Sequence, residues 1–424
     1  MHLAPIVATL RHHKLTAALL ALQVALACAI VTNALFLIAQ RVDRVLVPSG
    51  LDESALSIIE VNDLDAGANP LSVHQTDLAA LKAVPGVEAV AIVSHVPFAG
   101  SQHGTGVCAN LDAVHAAIKA RGLVAGCATA DLYAGGPGAL PTFGLRLVAG
   151  RAFTADEYAL DDPGKSIGSH AVPAVIVSRA LAQRLFPQHP DQAVGRTIYF
   201  GESGLFHGQG TPIVGVVEHL HRANISNDDK YDQSLLLPEV PNTGNAVFAL
   251  RSEPGEQARV IKQAKASLLK LRPQRQMSAD SARSYADIRA AYFKGDRTMI
   301  GLLLAATLGL LFVTALGIAG LAGFWVQQRN RTIGIRRAIG ATRRDILRYF
   351  QAENFLIVSV GVVLGVALAV LLNAVLMQHY ELPRLPIWYL PVGAATLWLL
   401  GQLAVWAPAR RAAAVPPVVA TRSV

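Results

Sequence analysis

The sequence predicts a membrane α-helical protein with four transmembrane helices, plus an α+β periplasmic domain inserted between the first and the second. Three observations predict it. Residues 15–40, 298–325, 355–377 and 386–407 carry no charge and are long enough to span a bilayer. Between Arg41 and Arg297, acids and bases nearly balance, as in an aqueous domain. The net charge of +8 therefore lies elsewhere, at residues flanking the apolar runs. The densest of it is the segment 328–351, which holds Arg329, Arg331, Arg336, Arg337, Arg343, Arg344 and Arg348 against one acid, Asp345. A basic segment between two spans reads as a cytoplasmic loop. A hydrophobic fraction of 52% and a mean hydropathy of +0.39 fit a chain that is part membrane and part aqueous domain. Nucleic-acid binding would need a basic face on the folded domain, and the near-neutral 41–297 region offers none.

Residues 1–40 form a short basic start and a first span, read as a retained anchor: its apolar run exceeds a signal core and lacks a small-x-small cleavage site. Residues 41–280 form the aqueous domain. Strands are expected at 55–61 and 87–93, flanking a helix at 73–83 and a Pro85-Gly86 turn. Residues 100–144, rich in Gly and small residues, read as loop or an inserted lobe. Further strands are expected at 174–177, 197–200, 212–217, 234–237 and 246–250, with helices at 178–186 and 255–271. Cys108 and Cys127 lie in this region with no other cysteine to compete, so a disulfide closing a short loop is expected; the alternative is two separate buried thiols.

A helix is expected to start near Asp280, capped by Ser278 or Asp280, and to run without proline through Trp325. Continuous, it would be a rod of roughly 70 Å carrying motion between domain and bilayer. Residues 281–327 are thus stalk and second span, 328–352 a cytoplasmic loop, and 353–424 the last two spans, a short outer turn and a basic C-terminus. Both termini are then cytoplasmic.

Gly164-Lys165-Ser166 lacks the first glycine of a phosphate loop, since position 159 is Ala, and no strand leads into it. His219-x-His221, with His207 or Glu218 near, has no third ligand at a metal spacing. The sequon at Asn224 carries no weight in a periplasmic domain. Asn373, inside a span, either pairs helices or sits near the interface.

The basic segment resembles the FtsX-like permease family, of the macrolide-exporter (MacB-like) type. The family's IGIR-[RK]-A-[IL]-G-A pattern stands here as Ile333 through Ala341. The end, Pro408-Ala409-Arg410-Arg411 with Pro417 and Val418, is similar too. So are Gly150-Arg151-Ala152-Phe153-Thr154, Val175-Ile176-Val177-Ser178, Val194-Gly195-Arg196-Thr197-Ile198 and Ile213 through Val217. The resemblance implies a MacB-like periplasmic core at 41–280 and an FtsX-like domain at 298–424. It implies an inner-membrane ABC transporter permease that works as a dimer with a second copy or a paralogue. ATP and Mg would be bound by a separate cytoplasmic ATPase, with no cofactor on this chain and no catalytic residue in it. Closure of the ATPase would be passed outward, a mode called mechanotransmission, to extrude or extract an antibiotic, peptide, lipid or lipoprotein, with a periplasmic adaptor and an outer-membrane channel as further partners. Arg336, Arg337, Gly340, Ala341, Arg343, Arg344, Asp345 and Glu353 are the candidate coupling residues; the arginines equally suit anionic membrane lipid, and Glu353 suits a pairing with a loop arginine. The alternatives are a non-transporting regulator of a periplasmic cell-wall hydrolase and a membrane sensor.

Overall fold

A computed structural model describes residues 14–62, 69–100, 104–160, 172–189, 192–201, 210–225, 232–278, 280–380 and 384–414, with the side chains of Asn330, Arg331, Arg337, Tyr380 and Ala412 left out. The chain divides into two units. Met1–Val45 with Gly295–Val424 form one, and Leu46–Lys294 the other.

The second unit begins with β1 (Leu56–Asn62), α2 (Pro70–Lys82) and β2 (Val87–Val93), where α1 is reserved for the first long helix, Lys14–Leu46. It ends with β12 (Asn245–Ser252), α6 (Gln257–Leu271) and β13 (Ala282–Ser284). These strands form one antiparallel sheet in the order β13-β1-β12-β2. Each β–α–β unit therefore straddles a strand of the other, the interlocked arrangement of ferredoxin-like domains. Ile59, Leu81, Ile92, Phe248, Val260 and Leu268 fill the space between the sheet and the two helices. Asn69 caps α2 by accepting from the Leu71 N–H, so this helix starts ahead of the expected Val73.

Between β2 and β12 lies a second sheet. Its strands are β3 (Gly104–Cys108), β4 (Cys127–Ala134), β5 (Leu147–Gly150), β7 (Val175–Ser178), β8 (Thr197–Gly201), β9 (Gly210–Val217) and β10 (Ser234–Leu237). The order is β5-β9-β7-β10-β4-β3-β8, and β8 also pairs with β9, so six strands close into a ring. β6 (Ala159–Leu160) and β11 (Glu239–Val240) make a separate short pair. Of the two readings of 100–144, loop or an inserted lobe, the structure shows the lobe. That stretch supplies β3, α3 (Leu111–Ala120), β4 and α4 (Ala139–Phe143). Closing the ring removes sheet edges, and Val107, Ala128, Ala130 and Leu132 join its core, so small residues serve where an open sheet would show branched ones. α5 (Arg179–Leu185) is capped by Ser178, which accepts from the Leu181 N–H.

The Gly150–Thr154 motif begins at the end of β5, which pairs with β9 of this ring. Gly150 has φ +76°, and a Cβ there would lie 2.1 Å from the Val214 carbonyl oxygen. Arg151 holds both carboxylate oxygens of Glu157, at 2.8 and 2.6 Å, and Glu157 also accepts from the Thr154 N–H at 2.8 Å. The motif is a structural lock.

The expected rod is not continuous. Residues 282–284 pair with β1 as an edge strand, so helix begins only at α7 (Tyr285–Tyr292), capped by Ser284 rather than Ser278 or Asp280. The chain breaks again at Phe293 before α8 (Lys294–Gln328).

In the first unit, α1, α8, α10 (Arg343–Tyr380) and α11 (Tyr389–Ala414) are each long and apolar enough to cross a membrane. Small residues let them approach: a Cβ on Gly365 would meet Cys28 Cβ at 2.5 Å, and one on Gly361 the Ala21 carbonyl oxygen at 2.7 Å. Asn33 donates to the Ala369 carbonyl at 3.1 Å and Asn354 to that of Gly401 at 2.9 Å. Asn373 accepts from the Leu385 N–H at 3.0 Å, so it closes the turn into α11 rather than pairing two spans. Arg41 meets Asp296 at 2.5 Å, tying the end of α1 to the start of α8.

Candidate functional site

The basic segment folds as a helical hairpin. After α8 comes Arg329, then α9 (Asn330–Ala338), a tight turn, and α10. Gly340 makes the turn at φ +106°, and the Ala341 N–H returns to the Arg336 carbonyl at 3.0 Å. That is a Schellman closure with glycine at the left-handed position. Thr342 then opens α10. Its N–H donates to the Asp345 carboxylate at 3.0 Å, its hydroxyl to the same oxygen at 2.6 Å, and it accepts from the Asp345 N–H at 3.2 Å. Asp345, a predicted coupling residue, is thus the acid half of a helix cap.

The remaining predicted residues separate into three groups. Arg336 lies over the Tyr349 ring at 5.0 Å and, with Ala341 and Asp345, lines a cleft of about 500 Å³ between α9 and α10. Arg343 and Arg344 are exposed and do not line it. Glu353 is 2% exposed and takes Arg329 at 2.8 and 3.1 Å, which ties the start of α10 to the end of α8. Of Arg337 only the helical backbone is described. The tip of α9 is apolar: Ile335 is 46% and Ile339 81% exposed, against a buried Ile333. Sequence reasoning missed Arg329, Arg348 and Tyr349 as cleft residues. Arg348 and Tyr349 fall three and four residues beyond Asp345, both about one turn on, and line the cleft with it, a placement the 3.6-residue period allowed.

Elsewhere, Cys108 and Cys127 are directly opposite on β3 and β4 and are joined as a disulfide. The histidine pair separates. His219 Nδ1 lies 2.8 Å from the Asp232 carboxylate. His221 is buried, with Nδ1 2.7 Å from the Arg222 carbonyl and its ring 4.9 Å from Phe98; burial pushes its imidazole down to about 4. Among the described residues, no group of three or more His, Cys, Asp or Glu side chains could hold a metal. The Gly164–Ser166 segment, His207 and the sequon's Ser226 lie outside the described residues.

Two family models match the chain: the MacB-like periplasmic core domain over residues 16–283 and the FtsX-like permease C-terminal domain over 304–417. The macrolide export ATP-binding/permease protein MacB of Nitrosomonas europaea is 27% identical over 290 residues, covering 66% of this chain and 40% of that protein. Its namesake in Bradyrhizobium diazoefficiens is 37% identical over 138 residues, covering 32% and 21%. The chain thus spans less than half the length of these relatives. The extracellular domain of the noncanonic ABC-type transporter YknZ covers 52% of this chain and 99% of its own, at 15% identity and a TM-score of 0.30.

Proposed function

Because the chain belongs to the permeases with a MacB-like periplasmic core and an FtsX-like C-terminal domain, we propose that its basic hairpin couples it to a cytoplasmic ATPase. It is an ABC transporter permease of the MacB type, a multi-pass membrane protein. The positive-inside bias sets the hairpin and both termini in the cytoplasm and Leu46–Lys294 in the periplasm. ATP and Mg bind to the ATPase, a separate subunit. A second permease copy or paralogue completes the machine, whose cargo is an antibiotic, peptide, lipid or lipoprotein taken from the periplasmic side, passed on through an adaptor and outer-membrane channel.

The observation that carries this reading is the hairpin tip. Ile335 and Ile339 are exposed before, and Arg343 and Arg344 after, a turn fixed by Gly340 and by the Thr342–Asp345 cap. Exposed apolar residues followed by cations across a rigid turn suit a groove with an acidic rim. ATP-driven movement of such a groove would push the tip, and the buried Arg329–Glu353 pair would pass the push to α8. The helix that would carry such a push, α8, is preceded by a break at Phe293. The test is ATP hydrolysis by the purified complex: Gly340→Trp leaves the permease folded and membrane-inserted but removes its stimulation of hydrolysis. Full stimulation by that variant would refute the assignment.

A further inference from the structure

The cleft between α9 and α10 has a composition that docking of a protein does not require. Its floor is Ile333, Ile346 and Phe350, which belong to the same apolar cluster as Leu20, Trp325 and Val326 of the spanning helices. Its rim is cationic: Arg336, stacked on Tyr349, and Arg348. Among the described residues neither arginine is in an ion pair, whereas Arg329 at the back of the cleft is held by Glu353. The one acid among the cleft's lining residues, Asp345, is hydrogen-bonded by Thr342 and acted on by the charge of Arg348, so the two rim arginines against it leave the rim with a net positive charge. An apolar floor continuous with the membrane core, under a rim with excess positive charge, matches one chemistry: an anionic headgroup with hydrocarbon attached.

Depth agrees. The charge-free part of α10 begins at Phe355, and Tyr349 and Arg348 precede it by about 9 to 10 Å at 1.5 Å per residue. The headgroup layer adds about 5 to 8 Å to each side of the hydrocarbon core. A long guanidinium side chain reaches back across the difference.

We propose that this cleft is a binding site for an anionic phospholipid, with the phosphate on Arg336 and Arg348 and the upper acyl chain over Ile333, Ile346 and Phe350. The site needs only that α8 and α10 cross a bilayer. It is independent of the ATPase, so its failure and that of the coupling assignment are separate results. A bound lipid would brace α9 against α10 and set the angle at which the hairpin tip is presented.

The test is native mass spectrometry of the full chain in detergent, titrated with phosphatidylglycerol, phosphatidylcholine or inorganic phosphate. Phosphatidylglycerol is expected to remain bound, phosphatidylcholine to bind at least about tenfold more weakly, and inorganic phosphate not to compete. Arg336→Gln with Arg348→Gln should weaken phosphatidylglycerol binding about thirtyfold, the share of two arginines at an anionic surface. Arg343→Gln with Arg344→Gln removes the same charge outside the cleft and should leave binding within about threefold. Thr332→Trp fills the exposed mouth with every arginine kept, and should also abolish retention. Equal losses in both arginine pairs, equal binding of the two lipids, displacement by inorganic phosphate, or full retention by Thr332→Trp would each overturn the proposal.

Discussion

In the periplasmic-core unit, arginines meet carboxylates: Arg151 with Glu157, Arg275 with Asp77, Arg251 with Asp52 and Arg289 with Glu53. Among the described side chains of the hairpin, Arg329 alone stands within ion-pair distance of a carboxylate, that of Glu353, while Arg348 acts on Asp345 from farther off. Arg336 rests on a ring, Arg348 lines the cleft, and Arg343 and Arg344 are exposed outside it. The difference teaches how to divide the motifs. A charge taken up inside the fold fixes shape, and a charge on a rigid, capped turn with no carboxylate opposite is available to something else. Both kinds occur within family-like motifs, so a motif match alone does not distinguish them.

The largest effect should follow from breaking the buried Arg329–Glu353 pair of the hairpin. Glu353→Leu leaves Arg329 facing an apolar wall and should cost about 3–5 kcal/mol, read as a lowered unfolding midpoint in detergent. Arg329→Leu with Glu353→Leu should recover most of that loss, since the pair removed together leaves no orphaned charge. If the double variant is no better than the single one, the pair is not a structural lock.

Next comes a group that the outer unit keeps uncharged. An unfolded histidine takes its proton near pH 6.5, whereas buried His221 stays neutral until about 4. The unfolded state binds more protons in that window, so stability falls as pH drops from about 6.5 to 4 and levels off below. Relative to His221→Leu, the wild type should lose about 3 kcal/mol across it, measured by chemical unfolding at several pH values. A flat difference would place His221 in contact with solvent.

A smaller effect is expected at the turn. Gly340→Ala forces a side chain into a left-handed conformation, but a Cβ there meets nothing within 4 Å. The cost should be about 1 kcal/mol, all of it backbone strain. A larger loss would mean that the turn is packed against something. Smallest of all, Arg336→Gln and Arg348→Gln should change stability by less than about 0.5 kcal/mol each, because neither closes a pair in the fold.

Much of this was legible in the sequence. The four spans announced themselves by charge-free length, and the basic loop by its arginine density. β1, β2, β10 and β12 showed as apolar runs between turn residues. What stayed hidden depends on contacts between distant residues. The stretch Gly104–Cys108 becomes a strand because β4 and β8 flank it in a closed ring, not because Gly-Thr-Gly-Val-Cys favours one. Residues 282–284 carry helix-forming alanine and arginine but are captured by the open edge of β1, which moves the helix start to Tyr285. The pairing of Glu353 with a loop arginine was readable, and Arg329, 24 positions away, is that arginine; the part Asp345 plays in capping α10 through Thr342, three residues before it, went unread although it is a local signature.

The most direct test of the coupling claim is to purify the tagged chain from its native membranes and measure ATP hydrolysis in what is recovered, for wild type and for Arg343→Glu with Arg344→Glu. The account predicts hydrolysis with the wild type, and a double variant that is folded and inserted but recovers none. Equal hydrolysis with both, or none with the wild type under gentle extraction, would contradict it and leave the arginines as membrane anchors.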